Sequence, residues 1–183
     1  KWKSTHVWPL PETRMERMYL SPDNTLRVDA PTDAAGSDRY RVDPTAGSGE
    51  YNRWHTQMGQ PMHHPDRREM DKKLLVYDTP PLETDLEITG HPVMHLFVRS
   101  TATDGQFFAY LEAVLPDGRV KCVTDGQLRA IHRKVSDDPP PYTMFGPYHT
   151  FERKDALLLV PGEVTEIAFD LLPISVRFEA GWR

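Results

Sequence analysis

The hydrophobic positions of this chain alternate with a period of two from Leu74 onward, and no comparable order precedes them. Residues 74–77 form a short apolar run that stops at Asp78-Thr79-Pro80-Pro81. Residues 86–89 lead to Gly90, after which Met94, Leu96 and Val98 alternate with His95, Phe97 and Arg99. In the clearest strand Phe107, Ala109, Leu111, Ala113 and Leu115 share one face. Phe108, Tyr110, Glu112 and Val114 occupy its other face, which is therefore only partly wet. Pro116-Asp117-Gly118-Arg119 predicts a tight turn, since Pro presets φ and Gly takes positive φ without a clash. Val120, Cys122 and Thr124 return as the partner strand, Asp125-Gly126 predicts another turn, and residues 127–133 predict a further strand. Beyond a proline-rich loop at 136–148 and the Pro161-Gly162 turn, Thr165, Ile167, Phe169 and Leu171 point inward, and Val176 and Phe178 alternate towards Gly181-Trp182.

The first 72 residues read differently. Arg14-Met15-Glu16-Arg17-Met18-Tyr19-Leu20 alternates as one strand, and Ser21-Pro22-Asp23-Asn24 follows as a turn. Residues 30–49 are rich in Pro, Asp, Gly, Ala and Ser, and residues 55–72 are polar with Pro61 and Pro65. The pattern predicts an irregular arm over 1–72 with one or two strands, lying on another surface, and a β-sandwich domain over 73–183. No window carries a helical stripe longer than two turns, and short strands about ten residues apart with Gly/Pro/Asp turns predict an all-β antiparallel sandwich. The chain stops at Arg183, where a new strand is expected, so the C-terminal end reads as truncated, with a sheet edge unpaired or a strand missing.

A length of 183 residues suits one domain with an arm, and 17 prolines with 38% hydrophobic residues suit loops around a modest core. The net charge of −5, with no long basic run, makes nucleic acid a poor partner. Cys122 is the single cysteine, which excludes an internal disulfide framework and a zinc ribbon; between Val120 and Val123 it reads as a buried structural thiol. No apolar stretch approaches the ~20 residues of a membrane span, so no membrane partner is expected. The chain begins at Lys1, not Met, so its start gives no firm statement of compartment; a cytoplasmic location is the expectation.

Candidate chemistry is sparse. Gly47-Ser48-Gly49 lacks the strand before it and the helix after it that a serine nucleophile elbow requires, and reads as a hinge. There is no Walker A loop, His-Glu-x-x-His, Cys-x-x-Cys or dinucleotide fingerprint. His63-His64 is the densest histidine cluster, but neighbours in sequence point apart, and a solvated loop pair is the expectation. His95 and His132 fall in strands and read as partly buried. Asp117 and Asp137-Asp138 suit calcium or, more simply, turns and caps. The loop aromatics Tyr142, Phe145, Tyr148 and Phe151 suit sugar stacking or packing against a neighbouring domain. No catalytic residue, metal or cofactor is assigned.

From Leu74 onward the residues resemble a known domain. Leu75-Val76-Tyr77-Asp78-Thr79-Pro80-Pro81-Leu82-Glu83-Thr84-Asp85-Leu86-Glu87-Ile88-Thr89-Gly90 resembles the entry segment of the C-terminal domain of the X-Pro dipeptidyl-peptidase and cocaine-esterase (CocE/NonD) family. Leu96-Phe97-Val98-Arg99-Ser100, Leu115-Pro116-Asp117-Gly118-Arg119, Thr124-Asp125-Gly126 and Leu159-Val160-Pro161-Gly162-Glu163 continue the resemblance in order. Tyr40-Arg41-Val42-Asp43-Pro44 resembles the element that often precedes this domain. The resemblance implies a jelly-roll, galactose-binding-like sandwich appended to an α/β-hydrolase domain of the same polypeptide, the partner, with homo-oligomers also within the pattern. It implies acyl-enzyme cleavage of esters, amides or Xaa-Pro bonds by a triad that lies upstream, so no triad residue maps onto this chain. By position, residues 51–55 correspond to a loop over the acyl pocket, which nominates Trp54 and His55 as substrate-pocket wall. The competing expectation is a module that holds a carbohydrate or other ligand in its jelly-roll loops.

Overall fold

The computed structural model describes residues 4–32, 36–48, 52–61 and 65–183. Gly49, Tyr51, His63 and His64 lie outside the described residues. Among the described residues the strands are β1 (Tyr19–Ser21), β2 (Thr25–Arg27), β3 (Leu86–Gly90), β4 (Val93–Arg99), β5 (Gln106–Val114), β6 (Val120–Arg129), β7 (Val164–Asp170) and β8 (Ile174–Phe178). One four-residue helix, α1 (Arg68–Asp71), and short 3-10 turns at Arg53–Met58, Ala130–His132 and Arg153–Asp155 are the remaining regular elements named here. β5 pairs with β6, β4 with β7, and β3 with β8. That nested order is a long hairpin folded back on itself, the connectivity of a jelly roll, and the fold is an all-β sandwich as the period-two pattern predicts.

The chain divides into two compact units: Lys1–Leu10, Thr89–Leu111 and Val123–Ser175 form the first, and Pro11–Ile88, Glu112–Cys122 and Val176–Arg183 the second. The first holds the main core, in which Ala109, Leu128, Ala130, Leu159, Ile167, Phe169 and Leu171 are buried and Met94, Leu96, Val98, Phe107 and Leu111 pack against them. The β4–β7 register sets Met94 opposite Phe169, Leu96 opposite Ile167 and Val98 opposite Thr165. A slip of one residue would turn this whole apolar face to water. Ile167 and Phe169 are the largest fully buried side chains, and each contributes about 1.5–3 kcal/mol by leaving water.

The structure corrects the reading of Asp125-Gly126. β6 runs unbroken through both residues to Arg129, and Ala130–His132 then forms a 3-10 turn rather than a strand. Gly126 is required by space, not by a turn: a Cβ there would lie 2.5 Å from the Asp170 carbonyl oxygen and 2.8 Å from Leu171 Cα. The chain after β7 crosses at this point, with Leu172 N–H donating to the Asp125 carbonyl at 3.1 Å and the Thr124 hydroxyl donating to the Leu172 carbonyl at 2.9 Å.

In the second unit Ala113, Val120, Cys122 and Phe178 are buried, and Trp182 meets Phe178 edge-on at 6.5 Å. The buried Cys122 matches its sequence reading. The Pro116–Arg119 turn closes with Leu115 N–H donating to Arg119 at 2.9 Å and Gly118 N–H donating to Leu115 at 2.8 Å, and Gly118 takes φ +81°. Arg183 exchanges backbone hydrogen bonds with Val114, at 2.8 and 3.1 Å.

The described residues of 4–72 hold less regular structure than the alternation of Arg14 to Leu20 predicts. Of the run from Arg14 to Leu20, only Tyr19 and Leu20 enter a strand, because β2 offers three partners and no more: Tyr19↔Arg27, Leu20↔Leu26 and Ser21↔Thr25. Residues 74–77 form no strand either. The chain there contributes one bridge, Thr25↔Asp78, closed by Leu26 N–H to Asp78 and Asp78 N–H to Asn24, before Pro80 and Pro81 remove two donors. Among the described residues of 4–72, only Ser21 and Arg67 are buried.

Candidate functional site

Asn52 starts the turn that carries the two sequence-nominated residues. Its side-chain oxygen accepts from Trp54 N–H at 3.0 Å and its carbonyl accepts from His55 N–H at 3.0 Å, satisfying donors that a helix start leaves open. The Thr56 hydroxyl donates to the Arg53 carbonyl at 2.7 Å, and Gly59, at φ +73°, ends the turn with its N–H directed at Thr56. The turn therefore holds Trp54 and His55 on ordered backbone. Trp54 is 49% exposed, His55 is half-buried, and the Arg53 guanidinium stacks over the indole at 4.8 Å from its centroid. An indole face shared between a cation and solvent is an apolar surface suited to contact with a partner group.

A second cluster has no counterpart in the sequence reading. Arg67, 3% exposed, directs Nε to the Glu112 carboxyl on β5, lies 3.8 Å from Asp71 on α1, and donates through Nη1 to the Gly47 carbonyl at 3.3 Å. Arg67 N–H donates to the Val120 carbonyl at 3.1 Å, and Val120 N–H donates to Asp66 at 3.0 Å. Burial pushes the Glu112 carboxyl up to about 7, and this outweighs the pull of Arg67 while the neighbouring Asp71 adds to it. Burial also raises Asp71, against the attraction of Arg67. The signal was present in the sequence as Glu112 in the middle of an apolar strand, because a charge on a half-buried face needs a partner.

The other sequence candidates resolve into structural roles. Gly47 accepts from Arg67 and directs its N–H at Met70 Sδ at 3.4 Å, and among the described residues no strand leads into Ser48. Asp117 accepts from Arg119 N–H at 3.0 Å and from its side chain at 2.7 Å, closing the turn. The Ser136 hydroxyl accepts from Asp138 N–H at 3.1 Å. Among the described residues no group of three or more His, Cys, Asp or Glu is placed to hold a metal. His95 is exposed rather than partly buried, and meets Glu166 at 3.1 Å across the outer face of β4 and β7. His149, which the sequence reading passed over, is buried with Nδ1 3.0 Å from the Lys134 carbonyl and Nε2 2.9 Å from the Ala168 carbonyl. The loop aromatics form separate contacts rather than one flat platform: Tyr142 meets Tyr148 edge-on, Phe145 packs on His91, and Phe151 on His132 and His149.

The pattern of the X-Pro dipeptidyl-peptidase C-terminal non-catalytic domain matches residues 1–183. The chain is similar to a protein named as a serine esterase in Mycobacterium bovis, 53% identical over 185 residues, covering 100% of this chain and 29% of that protein. It is also similar to the cocaine esterase of Rhodococcus, 28% identical over 194 residues, covering 100% of this chain and 31% of that protein. An α-amino acid ester hydrolase shares the fold, with TM-score 0.69 and 21% identity over 91% of this chain and 27% of that one. So does an aminopeptidase from a marine sediment archaeon of the Thaumarchaeota, with TM-score 0.65 and 22% identity over 90% of this chain and 27% of that one. The chain thus spans about a third or less of these relatives, in which the matched segment is part of a longer hydrolase chain. This chain belongs to the family of C-terminal, non-catalytic domains of the X-Pro dipeptidyl-peptidase and cocaine-esterase hydrolases.

Proposed function

We infer that this domain serves a serine acyl hydrolase by bracing an α/β-hydrolase domain of the same polypeptide and covering part of its active site. The arm, residues 1–72, lies against that neighbour, while the β-sandwich, residues 73–183, is the support on which the arm is mounted. The observation that carries the reading is how few of the arm's described residues are buried. Met15, Val42 and Met58 are 74%, 77% and 79% exposed, and Trp54 joins them; Trp54 and Met58 stand on a turn that hydrogen bonds hold in place. Ordered chain with large apolar groups in water is the signature of a surface made for contact.

Ester cleavage is the favoured chemistry, since the 53% identical relative is named a serine esterase and a more distant one a cocaine esterase. The nucleophile, base and oxyanion donors belong to the neighbour. Trp54 and His55 wall the acyl pocket, where an indole face removes water from the acyl group and favours bulky apolar substrates. Such contacts act on bound substrate and transition state alike, so they appear mainly in KM. In the full-length enzyme Trp54→Ala should raise KM about tenfold for a bulky aromatic ester, equivalent to ~1.4 kcal/mol, and leave acetate esters nearly unchanged. Equal kinetics for both enzymes across a size series of esters would overturn the placement of Trp54.

A further inference from the structure

We propose that Arg67, Glu112 and Asp71 form a proton-operated clasp that ties the arm to the β5–β6 hairpin more tightly in mildly acidic than in mildly basic solution. The inference goes beyond the accessory role and does not depend on what the arm lies against.

The clasp joins three pieces of chain. Arg67 stands at the start of α1, Glu112 on β5, and Gly47 in the arm loop that also holds Thr45, whose hydroxyl accepts from Lys73 at 2.8 Å. The backbone contacts between Arg67 and Val120 and between Val120 and Asp66 fasten the same turn to β6. Arg67 is nearly without exposure, so its charge must be answered inside the protein. Among the described residues, the carboxyls of Glu112 and Asp71 face it. When Glu112 carries its proton, that proton bridges to Asp71 and the trio sums to zero charge: one guanidinium, one carboxylate, one neutral acid. When Glu112 loses the proton, the trio sums to −1 in a site that burial has already made hostile to charge, and two carboxylates stand side by side.

Among the described residues, Asp66, on the same turn, and Asp78, before β3, also face this trio, and both act on Asp71. Asp78 is itself answered by Arg183 at 3.5 Å. Asp66 is held down to about 2, first by Arg68, and so keeps its charge throughout the neutral range.

The sign follows from linkage. Glu112 has a folded pKa of about 7, above its ordinary 4.5, so its contribution is complete below pH 4.5 and is lost as pH rises through about 7. Opening the turn returns Glu112 to water. Between pH 6 and pH 8 this group alone raises the opening equilibrium about tenfold.

Hydrogen exchange in the full-length polypeptide tests this, with labelling times scaled for the intrinsic pH dependence. Peptides covering residues 66–71 and 119–122 should lose about tenfold in protection from pH 6 to pH 8, and Glu112→Gln should abolish that loss. Equal loss in both proteins, or none in the wild type, overturns the clasp. If Glu112→Gln does not fold, Asp71→Asn carries the test: removal of the neighbouring charge should move the midpoint of the transition to lower pH, and an unmoved midpoint overturns the proposal equally.

Discussion

Gly126→Ala tests whether the glycine in β6 is there to let two backbones pass at close range. The added methyl would stand 2.5 Å from the Asp170 carbonyl oxygen and 2.8 Å from Leu171 Cα, both backbone atoms with no flexible end to swing away. Relief requires β6 and the chain after β7 to move apart. Overpacking of this kind costs about 1–3 kcal/mol. The separation also strains the hydrogen bonds from Leu172 to Asp125 and from Thr124 to Leu172, each contributing about 1 kcal/mol. A total near 3 kcal/mol is a large share of the ~5–15 kcal/mol that holds a domain folded. Gly118→Ala is the control, because φ +81° with open space around it leaves only left-handed strain, about 1 kcal/mol. Pulse proteolysis of the full-length polypeptide along a urea series, read on the fragment containing this domain, measures both variants. With a slope of ~2 kcal/mol/M, the midpoint should fall by about 1.5 M for Gly126→Ala and about 0.5 M for Gly118→Ala. A Gly126→Ala shift no larger than that of Gly118→Ala would refute the close-approach account.

Two further outcomes follow from the polar contacts. His149→Leu should cost about 1–3 kcal/mol in the same assay, because the buried ring sits within hydrogen-bond distance of the Lys134 and Ala168 carbonyls and a leucine removes the N–H that answers one of them. Asp66, held down to about 2 by Arg68 and by the amides of Val120 and Arg68, contributes stability above its ordinary 3.8 that is lost as pH falls through about 2. The urea midpoint of the wild type should therefore drop between pH 4 and pH 2, and that of Asp66→Asn should drop less.

The sandwich was legible because its strands bury one face and wet the other. Ile167, Phe169 and Leu171 alternate into the core, Val120, Cys122 and Thr124 do the same, and Gly118 turns where Pro116 and Asp117 announce it. The failures share a cause: one residue type serves two physical ends. A glycine after an aspartate reads as a turn, yet Gly126 is there to let two backbones touch. Alternation in Arg14 to Met18 reads as a strand, yet a strand needs a partner, and the chain offers β2 to three residues only. Arg67 and His149 were invisible because a charge or an imidazole in a polar, proline-bearing segment looks solvated until the tertiary fold brings carbonyls and carboxylates around it. Glu112 alone, a carboxyl within an apolar run, pointed to the cluster.

The central claim is that the arm's apolar groups are covered by a catalytic neighbour. Methionine oxidation reads this directly, since sulfoxide formation tracks access to the sulfur. Peroxide-treated full-length enzyme, digested and analysed by mass spectrometry, should show Met15 and Met58 oxidised at least several-fold more slowly than methionine in an unstructured peptide, despite their exposure of 74% and 79% in this domain. Oxidation of both at the free-peptide rate would contradict the account.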